Sequence, residues 1–284
     1  MNFRGVEKTD KWGYIFTVFY SGERFHSFDE MAGKITVKGE FRRVMNELGF
    51  TWAKGIQQGG RTDAKVSAER NLLYVSSSFQ GDLDKIIFEF NEKMKESIFI
   101  RKVQKTFPNL SFPEYVEERE YLYRYPKKRI KRSVDEIEET LKEVSGTYDV
   151  SKFTDKKGLE LKEHERTVKV SFEKGVLKFV GNSFMPKQVR NMAGYILSGK
   201  VETFPGKYLT LENVYLKQEL IDKIIYPDRE LEIPGVERVE RTADKELMIL
   251  YVKKDKKGEV IGKNASNIKI LRREFGNIII IREI

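Results

Sequence analysis

Gly59-Gly60-Arg61-Thr62-Asp63-Ala64 is the stretch on which the reading of this chain turns. Adjacent glycines let backbone come close to a ligand, and an arginine and an aspartate carried on a turn more often serve function than packing. An ordinary aspartate-capped turn has the same spacing, and on these residues alone it is the simpler reading. A phosphate-cradling P-loop is excluded, because no Lys-Ser/Thr pair follows the glycines.

The composition narrows the chemistry around that turn. The chain has 284 residues, 53 Lys+Arg against 44 Asp+Glu, a net charge of +9, two histidines and no cysteine. The length suggests roughly two domains, each able to bury a core. Zero cysteine excludes a disulfide scaffold, a thiolate zinc site, an iron–sulfur cluster and a cysteine nucleophile. With only His26 and His164, no metal site is expected. Mean hydropathy is −0.53, and no stretch approaches the ~18 apolar residues that would cross a bilayer. Met1–Asp10 is charged and lacks an apolar core, so no signal peptide is expected and a cytoplasmic location is the default.

A basic surplus draws polyanions, nucleic acid first among them. A solvated surface rich in Lys and Glu fits the bulk composition equally well. Clustering favours the first reading. Residues 127–132 (KKRIKR) carry five positive charges and no negative one, and Lys253–Arg273 holds eight basic residues and two acidic.

Periodicity places the elements. Trp12–Tyr20 (WGYIFTVFY) predicts a buried strand. Phe41, Val44, Met45 and Leu48 predict a helix over Val37–Leu48, capped by Thr36 and ended by Gly49. Asn71–Ser77 is a strand, and Gly81-Asp82 opens a helix striped by Leu83, Ile86, Ile87, Phe90 and Met94. Arg119–Tyr125 alternates as a strand and stops at Pro126. Ser133 caps a helix to Val144, strands Thr167–Glu173 and Val176–Val180 flank a turn at Lys174-Gly175, and a helix runs from Pro186 to Leu197 with the proline at its first position. Beyond residue 218 come strands Val236–Arg241 and Glu246–Val252, a helix–loop–helix, and a last strand Asn277–Ile281. The expected fold is α+β. Two related α/β halves, residues 1–115 and 116–217, share a mostly antiparallel sheet with a central cleft, and a small αβ domain occupies 218–284.

The chain resembles TruA-type pseudouridine synthases in five segments that occur in the same order. Gly60–Ala68 (GRTDAKVSA) resembles that family's signature GRTDAGVHA, and Tyr20–Phe28 resembles its first-strand exit. Arg119-x-Tyr121-x-Tyr123 resembles its R-x-Y-x-Y strand, and Gly146–Phe153 its G-x-x-D-F-x-x-F segment. Gly181–Gly194, with Val189-Arg190-Asn191, resembles its helix start. Together these span about residues 12–200. The chain departs from the pattern at Lys65, where the family has Gly, at Ser67, where it has His, and at Ser21, where it has Asp.

The resemblance implies an isomerase that breaks the C1′–N1 bond of a uridine, turns the base and rejoins C1′ to C5, so no cofactor is expected. It implies that Asp63 starts the reaction by attack or by proton abstraction, that Arg190 is its permanently charged partner, and that Tyr121 stacks on the uracil. Arg61 would intrude where the target nucleotide flips out, Phe184 would wall the base, and Thr62 and Tyr123 would complete the substrate contacts. Tyr123 or Tyr125 is the competing choice for the working face of the strand. RNA is the expected partner, with tRNA first, and the family implies a homodimer. The rivals are a non-catalytic RNA-binding protein or chaperone that keeps the fold, and the same chemistry on rRNA.

Glu259–Lys269 (EVIGKNASNIK) resembles the V-I-G-x-x-G-x-N-I-K core of a KH domain, with Ala265 in place of the last loop glycine. That resemblance implies a type II KH-like module in which Gly262, Lys263 and Asn264 clamp single-stranded RNA backbone. A packing-only appendage is the alternative.

Overall fold

Trp12–Tyr20 forms the expected strand, β1, and its even-numbered side chains are buried, Phe16 against Phe41 of the helix that follows. Helix α1 (Val37–Glu47) starts where Thr36 accepts the Gly39 N–H at 3.1 Å and ends before Gly49, whose φ is +79°. Strands β2 (Gln57–Gln58) and β3 (Ser67–Ser77), helix α2 (Leu83–Met94) and strand β4 (Ile98–Thr106) complete the first half. Asp82 caps α2 through the N–H groups of Asp84 and Lys85. Phe16, Phe41, Phe50 and Phe90 are fully buried between strands and helices, with Phe16 meeting Phe41 and Phe50 edge-on at 5.3 and 5.4 Å. Each such ring contributes about 1.5–3 kcal/mol of transfer free energy. The computed structural model describes residue 6 and residues 9–95, 97–155, 163–275 and 278–284.

The second half repeats the plan. Strand β5 (Val116–Tyr123) leads to helix α3 (Val134–Val144), strands β6 (Gly146–Asp149), β7 (Glu165–Glu173) and β8 (Val176–Gly181), helix α4 (Gln188–Ser198) and strand β9 (Leu209–Leu216). Ser133 and Glu136 form a reciprocal capping box at α3. The turn between β7 and β8 takes positive φ at both Lys174 and Gly175, as a tight hairpin requires. In each half the first strand lies antiparallel between two later ones, β1 between β3 and β4 and β5 between β8 and β9. The halves meet where β3 runs parallel to β9 through Ser67–Thr210 and Ala68–Leu211.

Three expectations shift. Strands β2, β6 and β9 were not expected, and β4 went unread because Arg101, Lys102 and Lys105 interrupt its apolar pattern, yet it pairs with β1 along its whole length. Helix α4 begins at Gln188, two residues later than expected. Lys187 takes a left-handed conformation at its N-cap, and Gln188 Oε1 accepts the Met185 N–H at 2.8 Å, so Pro186 lies in the turn and not in the first helical position. Tyr125 lies beyond β5, which starts earlier than expected, at Val116. Asn277 lies outside the described residues.

The C-terminal segment continues the same sheet. Helix α5 (Gln218–Ile221) leads to β10 (Ile225–Pro227), β11 (Arg238–Thr242), β12 (Leu247–Val252), helices α6 (Lys257–Ile261) and α7 (Ser266–Phe275), and β13 (Ile278–Glu283). The order across the mixed sheet is β13-β12-β11-β10-β4-β1-β3-β9-β5-β8-β7-β6, with β2 paired to β3. Among the described residues, only β3–β9 and β12–β13 are parallel pairs in the sheet. Beside the β4–β10 join, Lys105 places its ammonium 2.6 Å from Glu240 and 2.7 Å from the Tyr251 hydroxyl, and 4.2 Å from the Trp12 ring centroid.

Burial of tyrosines gives the protein an alkaline limit. Burial pushes the hydroxyls of Tyr14, Tyr20, Tyr121, Tyr123 and Tyr251 well above the ordinary phenol value of 10. Above pH 10 the unfolded chain loses these protons while the native state keeps them, so their stabilisation is complete below pH 10 and is lost as pH rises further. The thermal midpoint is expected to hold to about pH 10 and then to drop steeply. A profile still flat at pH 12 would contradict the buried placement of these rings.

Candidate active site

The loop between β2 and β3 is suspended by buried polar groups from three strands. The Gly59 N–H donates to the Leu72 carbonyl at 2.8 Å, and the Gly60 N–H to Asn71 Oδ1 at 3.0 Å. Asn71 Nδ2 donates back to the Gly60 carbonyl at 2.8 Å and to the Tyr20 hydroxyl at 3.2 Å. Tyr20 in turn shares a 2.8 Å hydrogen bond with the Thr62 hydroxyl. From β5, Arg119 Nε donates to the Gly59 carbonyl at 2.8 Å, and its other guanidinium nitrogen reaches the Asn182 carbonyl. Bonds of this kind contribute about 1 kcal/mol each, and an unmatched buried partner costs more than that. The loop is therefore held before any substrate arrives.

At the loop's far end the backbone turns left-handed. Lys65 has φ +65°, a region that favours glycine and costs a residue with a side chain roughly 1–2 kcal/mol. The Val66 N–H donates to the Asp63 carbonyl at 3.2 Å, and Ser67 Oγ accepts the Gly22 N–H at 3.0 Å. Lys65 and Ser67, the two departures from the resemblance in this loop, thus keep a tight turn that ties Asp63 to β3.

Asp63 faces the other half of the molecule. Its Oδ2 lies 3.3 Å from an Arg190 guanidinium nitrogen on α4, and the two side chains are 29% and 17% exposed. Arg190 Nε donates to the Phe204 carbonyl at 2.6 Å, which fixes the guanidinium plane. The segment ending at Phe204 comes this close because Gly194 has no side chain: a Cβ there would stand 2.2 Å from the Glu202 carbonyl oxygen. Asn191 anchors the same helix by donating to the Phe153 carbonyl at 2.9 Å and accepting from Thr203 at 2.6 Å.

Above the ion pair opens a cleft of about 850 Å³ whose lining includes Phe28, Asp63, Tyr121, Phe184, Val189 and Arg190. Tyr121 is buried, with its ring edge-on to Phe184 at 5.3 Å and 87°. Burial pushes its hydroxyl up; the Arg119 charge opposes this and Asp63 adds to it. The cleft thus offers an aromatic corner beside a carboxylate held by a guanidinium. A flat apolar group fits the first and a polar reacting atom the second. A larger groove of about 1340 Å³ between the start of α2 and the β10–β11 region contains none of these residues.

The other expected residues take different places. Arg61 is exposed at the cleft mouth, its Nε 2.6 Å from Asp29. Thr62 lines the cleft but is buried and bound to Tyr20, so its hydroxyl positions the loop. Tyr123 is fully buried, donates to the Pro205 carbonyl at 3.1 Å, packs on Tyr125, Phe204 and Tyr208, and does not line the cleft. Gly262, Lys263 and Asn264 lie in the turn between α6 and α7, outside the cleft lining. Asn71, Tyr20 and Arg119, which hold the loop, were not expected as site residues. The available signal was Asn71 itself, an amide that opens the apolar run Leu72–Val75 within β3.

In the α6–α7 turn a Cβ on Gly262 would lie 2.9 Å from the Asn267 backbone nitrogen, so only glycine fits there. Asn264 and Ala265 follow with φ +56° and +59°. Asparagine tolerates that region; alanine does not. Ala265→Gly is expected to raise stability by about 0.5–1 kcal/mol, read as a higher thermal midpoint. A lower midpoint would contradict the left-handed placement.

Among known proteins, the chain is similar to pseudouridine synthases. Several of the relatives it matches are named tRNA pseudouridine synthase A. That of Streptococcus agalactiae serotype III (strain NEM316) is 27% identical over 257 residues, covering 76% of this chain and 96% of the relative. That of Geobacillus sp. (strain WCH70) is 26% identical over 203 residues, covering 64% and 80%. A solved Cbf5–Nop10–Gar1 complex aligns over 72% of this chain and 50% of its own, at 12% identity and a TM-score of 0.36, too slight a likeness to inform the fold. No family model matches the chain.

Proposed function

We propose that this protein is an RNA uridine isomerase, a pseudouridine synthase acting on tRNA. The observation that supports this most directly is the Asp63–Arg190 pair, formed across the two halves at the side of an aromatic cleft. The reaction breaks C1′–N1, rotates the base, forms C1′–C5, and moves the C5 proton away as N1 gains one, so atoms balance without a cofactor. Asp63 starts it, by attack or by proton abstraction. Arg190 keeps a fixed positive charge beside the carboxylate through the cycle. Tyr121 and Phe184 hold the detached uracil, since base–aromatic contact is worth about 1–3 kcal/mol. Arg61, exposed at the mouth, fills the gap left by the flipped nucleotide.

In this reading residues 1–115 and 116–217 are the halves of the catalytic unit. Residues 218–284 form a KH-like module whose Gly262–Asn264 turn grips single-stranded RNA. The order β11–β12–α6–α7–β13, with β13 parallel to β12, supports that assignment. Release of tritium from tRNA carrying uridine labelled at C5 tests the proposal. Tight binding of cellular RNA with no release from any of it would identify a non-catalytic RNA-binding protein instead, and release from rRNA alone would move the substrate.

A further inference from the structure

Most cations at the cleft mouth are neutralised within the protein. Arg61 pairs with Asp29, and Lys187 with Asp155. Lys65 is different. It is exposed, stands two residues after Asp63, and has no carboxylate within ion-pair distance among the described residues. Its backbone is in the region where glycine would be free of strain, so nothing in the local fold favours a lysine.

The neighbouring backbone extends that single charge. A Cβ on Gly206 would lie 2.7 Å from the Ala64 carbonyl oxygen, which sets Lys207 beside the loop. Lys207 is exposed, its ammonium 5.3 Å from the Tyr208 ring. The Tyr208 carbonyl accepts the Arg124 N–H at 2.9 Å, which brings in the end of β5 and the segment beyond Pro126. There Lys127, Lys128 and Arg129 are exposed, again without an ion-pair partner among the described residues. The last cation of the KKRIKR run is not part of this surface: Arg132 donates to Thr140 at 2.7 Å and to the Ile196 carbonyl at 3.3 Å, closing the end of α4.

We propose that Lys65, Lys207 and Lys127–Arg129 form a continuous basic track for the phosphate backbone of the RNA strand leaving the cleft, with Lys65 its first contact. This rests on the RNA reading above and names the surface by which the strand beside the target nucleotide is held. The occupant is a polyphosphate chain because the cations are serial, exposed and unmatched, a pattern suited to regularly spaced anions.

The test measures tRNA affinity against salt concentration for the full-length protein and its variants. Lys65→Gly is expected to raise the thermal midpoint, weaken binding about fivefold at 0.1 M salt, and lower the slope of log affinity against log salt by about 0.7–0.9. Lys65→Arg is expected to restore affinity and slope. The triple change Lys127→Ser, Lys128→Ser and Arg129→Ser is expected to lower the slope by about 2. Unchanged slopes in Lys65→Gly and in the triple variant would overturn the track. Tritium release by the unaltered protein is scored separately, so an inactive protein would refute the catalytic reading while the slopes still decide the track.

Discussion

Asp63→Ala is expected to lower tritium release from C5-labelled tRNA by at least about a thousandfold, within the range a positioned acid–base or nucleophilic group supplies. Among the described residues, this carboxylate is the only acidic group of the cleft lining paired with Arg190. Asp29 and Glu30 also line the cleft, but they are engaged with Lys38 and Arg61, and with Arg42. Neither can replace Asp63 without breaking those pairs. RNA affinity is expected to stay within a few-fold, because the loop is held through Gly59, Gly60, Thr62 and Asn71, none of which needs the Asp63 side chain. A variant keeping more than a few per cent of the rate would remove Asp63 from the chemistry. A variant that lost RNA binding as well would show the carboxylate to be structural.

Lys105→Met is expected to destabilise the protein by about 3–5 kcal/mol, the usual cost of leaving one member of a buried pair uncompensated. Lys105 and Glu240 are 13% and 11% exposed, and their contact is 2.6 Å. Glu240 also accepts from Tyr251 at 2.9 Å and has Arg238 at 3.5 Å, which places the loss toward the lower end. The double variant Lys105→Met with Glu240→Gln should recover most of it, since no buried charge is then left alone. The thermal midpoints of both proteins check this. Equal losses in the single and double variants would mean that packing against Trp12, and not charge, holds the join between β4 and the C-terminal segment.

Much of the scaffold was legible because local signals and tertiary demands agree. Thr36, Asp82 and Ser133 cap helices in both sequence and structure, and the Lys174-Gly175 turn follows from its residues alone. Where they disagreed, the reading failed. Strand β4 is a charged segment made into a strand by its neighbours: β1 supplies one ladder, and Glu240, from another part of the chain, neutralises Lys105. Tyr121 and Tyr123 share a strand face by spacing, yet only Tyr121 lines the cleft, because Phe204, Tyr208 and the Pro205 carbonyl enclose Tyr123.

By itself the sequence determined the main helices and several of the strands, the acid-bearing turn and the helix that carries its arginine, since capping, periodicity and glycine placement act over a few residues. Only the tertiary structure decided that Asp63 and Arg190 meet, that Asn71 suspends the loop, and that Gly206 packs against the Ala64 carbonyl. Those pairs lie far apart in the chain. Their contact depends on two strands, β3 and β9, running parallel for two residues at the seam between the halves, and no local propensity encodes that register.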